Sequence, residues 1–339
     1  MRQSALQGKK PGVAQASCLV LLLVALLVGL PLLGILARGE SIAPYLAFPP
    51  LTETGNPAPW SGWVFAFMAL GIVLVCYPFV RETVRAARRS SSRPTRRPFP
   101  WWGWAGLAFG ALAWLVAWNR FAWAAPVQAH SFTPLWLGFI VVVNALAYRR
   151  TGRCMMLHRP RFFAALFPVS AAFWWFFEYL NRFVTNWYYT GIEGFSAGEY
   201  VLFASLSFST VLPAVLGVGD WLASFPAFAP GEQPGADRSF LLHPVSVALL
   251  LLAAAGLAGI GSWPNLLYPL LWLAPLFILI ALLELGGTRT LLSEGLAGHG
   301  HRIRTAAAAA LICGFFWEMW NWHSLARWVY DVPFVQALH

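Results

Sequence analysis

Residues 17–37 read SCLVLLLVALLVGLPLLGILA, twenty-one positions without a charged side chain. Wound as an α-helix at about 1.5 Å per residue, the run is roughly 30 Å long, the thickness of a bilayer's hydrocarbon core. Lys9 and Lys10 precede it, as basic residues precede a secretory leader. The run is longer than a leader's apolar region, however, and Gly34-Ile35-Leu36-Ala37 is a poor cleavage site. Cys18 lies at the start of the run rather than after it, which argues against lipoprotein processing. The stretch reads as a retained first transmembrane helix.

Runs of the same kind recur along the chain, near 61–80, 101–121, 134–148, 162–189, 200–222, 244–261, 265–285 and 305–330. Composition agrees: 59% of residues are hydrophobic and 11% charged, where a soluble domain carries about a quarter charged residues. The expected fold is therefore all-α, a polytopic integral membrane helical bundle of about nine transmembrane helices. It divides into an N-terminal two-helix membrane segment (1–85), a basic Pro/Ser-rich cytoplasmic linker (86–100) and a membrane bundle (101–339).

The net charge of +10 would suit nucleic acid if it formed one patch, but the basic residues sit in short loops between apolar runs. With the N-terminus in the cytoplasm, 19 of the 23 Lys and Arg residues fall on the cytoplasmic side. Only Arg38, Arg120, Arg182 and Arg327 lie at outer ends. That asymmetry is the positive-inside signature. It places the chain in a cell membrane (the inner one in a bacterium) with the end of the last span outside. The expected partners are the bilayer itself and anionic lipid headgroups at the cytoplasmic basic loops, with no nucleic acid.

Two apolar runs carry a glutamate in the same setting. Phe173-Trp174-Trp175-Phe176-Phe177-Glu178 is followed by Asn181, Trp187 and Tyr189; Phe315-Phe316-Trp317-Glu318 is followed by Asn321, Trp328 and Tyr330. Upstream, His158-Arg159-Pro160-Arg161 matches His301-Arg302-Ile303-Arg304. Both runs cross from inside to outside, so the pattern reads as a parallel internal repeat. An ionisable group at membrane depth is costly and marks proton relays and ion pathways, which makes Glu178 and Glu318 the candidate working residues. Continued as helices, the two segments place Asn181, Arg182, Thr185 and Tyr189 on the face of Glu178, and Asn321, Trp322 and Leu325 on that of Glu318. Arg182 can pair with Glu178. Glu318 has no such cation on its own helix, leaving Arg120 or Arg182 from elsewhere as candidates to share.

Two function classes follow. In the first, Glu178 and Glu318 converge on one cavity and handle a proton or small cation in transport, with Asn181, Arg182, Asn321 and Arg120 around the bound species. In the second, an intramembrane enzyme acts on a lipid-soluble, isoprenoid-like substrate with a glutamate as general acid. A structural protein, whose polar residues only tie helices together, is the third possibility. No phosphate loop, zinc-protease motif or nucleophile elbow is present. The four cysteines have no metal-ligand spacing. The residues thus name no metal site, cofactor or substrate.

Overall fold

The computed structural model of the chain describes residues 12–50, 54–89, 97–229 and 238–335. Arg2, Lys9, Lys10, the middle of the basic linker and residues 230–237 lie outside the described residues. In chain order the long helices are α1 (Val13–Ala37), α2 (Gly62–Arg89), α3 (Trp101–Trp118), α4 (Phe132–Thr151) and α5 (Pro160–Asn181). A strand, β1 (Trp187–Thr190), follows. Then come α6 (Ala197–Ser209), α7 (Val211–Ala223), α8 (Leu242–Gly259), α9 (Pro264–Leu285), α10 (His301–His323) and a second strand, β2 (Arg327–Tyr330).

Among the described residues, eight stretches are long and apolar enough to cross a membrane, α6 and α7 together making one of them. This is the signature of a multi-pass membrane protein. The surface agrees with it: on α2, Trp63 is 89% exposed and Phe67 79%, a surface suited to lipid and not to water. The remaining long helix, α10, has the length, but Arg302, Arg304, Glu318 and Asn321 dilute its apolar run.

Four expected spans end or break differently: the second runs on beyond 80 to Arg89. The fifth stops at Asn181 instead of running on to 189, and the ninth stops at His323, short of 330. In each case the aromatic residues beyond the stop form a strand. The sixth divides at Thr210, because Pro213 has no N–H to give the turn before it. Ser170 of α5 satisfies groups on both sides of the break: its hydroxyl donates to Phe208 O at 2.5 Å and accepts from Leu212 N at 3.1 Å.

The chain forms two compact units. The first comprises residues 1–59, 177–186 and 230–303, and its core is α1 against α8 and α9. Ile35, Leu257, Leu271 and Ile278 are wholly buried there. A Cβ on Gly34 would overlap the carbonyl of Ala258, so α1 and α8 meet backbone to backbone. Beyond the end of α1, Arg38 donates to Gly261 O at 2.5 Å and pairs with Glu40.

The second unit comprises residues 60–176, 187–229 and 304–339. Its core joins α3, α4, α7 and α10 through Trp136, Ile140, Val143, Val218 and Trp320. Trp136 meets Trp320 edge to face at 5.2 Å between ring centres, a favoured aromatic geometry. Gly106 and Gly110 of α3 face Gly138 of α4, the small-residue spacing that brings membrane helices close. A Cβ on Gly138 would lie 2.7 Å from Gly110 Cα and 3.1 Å from Gly106 O. Asn144, alone in the apolar run of α4, holds the connection to α5 by accepting from Met156 N at 3.0 Å.

β1 and β2 pair as an antiparallel ribbon with Trp187 opposite Tyr330, Tyr188 opposite Val329 and Tyr189 opposite Trp328. Each strand follows one of the two glutamate-bearing helices. In this register Trp187 faces Tyr330 and Trp328 faces Tyr189.

Candidate functional site

In the first unit, Glu178 lies three residues before the end of α5 and is 1% exposed. Its neighbour Tyr179 donates its hydroxyl to Val28 O of α1 at 2.7 Å, and Phe177 stacks on Trp272 of α9. Asn181 closes the helix: its side-chain oxygen accepts from Asn186 N at 2.8 Å. Thr185 has φ +50°, a left-handed conformation that reverses the chain beyond the helix. Thr185 and Tyr189 therefore do not share a helix face with Glu178. Arg182 lies one residue past the helix and donates to the carbonyl of Tyr45, whose ring stacks on Phe183 at 4.4 Å.

In the second unit, Asn321 plays the corresponding part with two bonds. Its Oδ1 accepts from Trp328 N at 3.0 Å and its Nδ2 donates to Trp328 O at 2.8 Å. That pairing turns the exit of α10 into the start of β2. Arg120 donates to Ala117 O at 3.0 Å and to His323 O at 2.9 Å, so this candidate cation caps the ends of α3 and α10. Cations are favourable against the carbonyls of a helix C-terminus.

Glu318 is exposed on α10, and its partner comes from the strand twelve residues on: Tyr330 donates its hydroxyl to Oε1 at 2.6 Å. Burial, and then the bond to Glu318, hold the Tyr330 phenol above its usual pKa range, while Trp328 and Trp317 beside the same oxygen pull it back down. Glu178 belongs to the first unit and Glu318 to the second.

Trp317 and Trp328 also wall a cleft within the second unit, with α4, α6, the ribbon and the short segments flanking them supplying the rest. Its empty volume is about 730 Å³, counting the part open at the mouth. His130 lies against Phe203 at 3.8 Å and Phe195 at 5.2 Å between ring centres, within 29° and 19° of parallel. Thr133 and Ser207, also in the lining, share a hydroxyl–hydroxyl bond of 3.1 Å. Arg327 contributes the cationic side chain among the lining residues, and no Asp or Glu lines the cleft among the described residues.

Ser207 lines the cleft; Ser205 instead accepts the Trp175 indole N–H at 2.9 Å. His130 and Thr133 were not singled out at all, because nothing local distinguishes them from other polar residues at a helix start. Among the described residues no three His, Cys, Asp or Glu side chains gather closely enough to hold a metal ion. Comparison with family models, curated proteins and solved structures finds no match.

Proposed function

We propose that this is a nine-span membrane protein whose intramembrane carboxylates, Glu178 and Glu318, take up and release protons or a small cation in transport. One observation carries the reading. In both copies of Glu-x-x-Asn the asparagine is spent on ending the helix, and helix termination does not account for a carboxylate one turn earlier. A group that costs several kcal/mol at membrane depth is then best explained by what it carries. The ribbon register, which puts the Trp of each segment opposite the Tyr of the other, supports treating the two segments as repeats. The Lys and Arg distribution supports a cytoplasmic N-terminus, an outer end to α10 and residence in the cell's inner membrane. Asn181, Arg182, Asn321 and Arg120 take the role of positioning the two helix ends around the carboxylates. Anionic headgroups would meet the cytoplasmic basic loops.

Dicyclohexylcarbodiimide, an apolar reagent that couples to protonated carboxyl groups inside membranes, tests this reading. The expected adducts map to the peptides of Glu318 and Glu178, fall as pH rises, and vanish in Glu318→Gln and Glu178→Gln respectively. A folded protein that carries no adduct on either peptide contradicts it.

A second reading, an intramembrane enzyme acting on a lipid-soluble substrate, is favoured by one specific contact. Tyr330 joins Glu318 to the Trp317 and Trp328 walls of the cleft, where a carboxyl could serve as general acid.

A further inference from the structure

We infer that the cleft of the second unit binds a planar, lipid-soluble ring bearing carbonyl oxygens, a quinone-type molecule. The inference shares the cleft with the second reading above, but it concerns binding alone and needs no reaction at Glu318.

Shape comes first. The imidazole of His130 lies within 19° of the Phe195 plane and 29° of the Phe203 plane, the two phenyl rings being tilted 46° from each other, and Trp317 and Trp328 lie 4.6 Å apart at 40°. Flat walls select flat ligands, because stacked rings gain beyond their buried area.

Polarity narrows the class. Nδ1 of His130 is buried and makes no hydrogen bond among the described residues; carrying the ring proton, it donates. Thr133 and Ser207 have two hydroxyl hydrogens between them and use one in their mutual bond, which leaves the other to donate. Arg327 is a donor by nature. The nearby Glu199 is held in its own capping box, accepting from Ser196 N and Oγ at 2.8 Å each. A lining of donors without a carboxylate disfavours cationic ligands and fits one whose polar groups are all acceptors. Carbonyls on a ring match several donors in one lining. A phospholipid would use Arg327 for its phosphate, but its acyl chains would leave His130, Thr133 and Ser207 buried against hydrocarbon, which is costly.

The test uses the full chain in phosphatidylcholine nanodiscs, titrated with decylubiquinone and read by calorimetry. Saturable binding near one molecule per chain is expected. Replacing both inner hydroxyls (Thr133→Val with Ser207→Ala) should weaken it about tenfold, the value of roughly one hydrogen bond. His130→Phe keeps the aromatic wall and removes the donor, so it should weaken binding similarly, with thermal unfolding checking that each variant is folded. No saturable binding overturns the inference, as does binding that folded His130→Phe and the double variant leave unchanged. Loss of quinone binding when phosphatidylglycerol replaces part of the phosphatidylcholine assigns the cleft to a lipid headgroup, and also overturns it.

Discussion

Gly138→Leu is expected to break the packing of α3 on α4 and to lower stability by about 3 kcal/mol or more, the upper end for an overpacked interior. The reason is what a side chain there would strike. Its first carbon would sit 2.7 Å from Gly110 Cα and 2.9 Å from Gly110 N. Both are backbone atoms of a helix and cannot swing aside as a side chain would. The two helices must separate, and contacts along the whole seam loosen with them. Those include the place where Gly106 already receives Val141. Gly71 of α2 is the control, since a Cβ there meets nothing within 4 Å. Thermal unfolding in detergent should show a large loss for Gly138→Leu and little for Gly71→Leu. Equal behaviour of the two would mean that α3 and α4 do not approach as described.

The second large effect is expected at Asn321→Leu. This near-isosteric change removes the partners of both the N–H and the C=O of Trp328, a residue 8% exposed. Each buried backbone group left unsatisfied costs about 1–3 kcal/mol, so a loss of about 2–5 kcal/mol is anticipated. The neighbouring Trp322, 78% exposed, should tolerate replacement by Leu with little change. Hydrogen exchange can localise the damage. Amides of residues 327–330 should exchange much faster in Asn321→Leu, because the strand loses its backbone attachment to α10 and keeps the Tyr330–Glu318 bond and its pairing with β1. Unchanged protection of β2 would show that the ribbon holds itself.

The helices were legible because each is an apolar run of roughly bilayer length, and that signal is local. What lay beyond their ends was not. Asn181 and Asn321 stop their helices by bonding backbone five and seven residues on, without the glycine or proline that usually punctuates a stop. Trp187-Tyr188-Tyr189-Thr190 and Arg327-Trp328-Val329-Tyr330 are rich in strand-forming residues. Each is only four residues long, however, and its partner lies 140 positions away, so no nearby pattern announces the pairing. The break at Thr210 falls inside a run expected to be continuous, just before Pro213. The glutamates stood out by chemistry alone, and the partner of Glu318 was already inside the motif as Tyr330. The cleft was invisible for the opposite reason. It gathers His130, Ser207 and Arg327 from segments that fold together across about 200 positions of sequence, and none of the three is unusual where it stands.

Proton flux into sealed vesicles reconstituted with the purified chain tests the central claim most directly. With an entrapped pH-sensitive dye and an imposed potential, the wild-type protein should acidify or alkalinise the lumen well above protein-free vesicles. Glu178→Gln and Glu318→Gln, which keep the shape of each side chain and remove its titratable proton, should each reduce that flux at least about tenfold, a barrier change of roughly 1.4 kcal/mol. Wild-type vesicles no leakier than empty ones, across proton and small-cation gradients alike, would contradict the account. So would folded Gln variants that conduct as the wild type does.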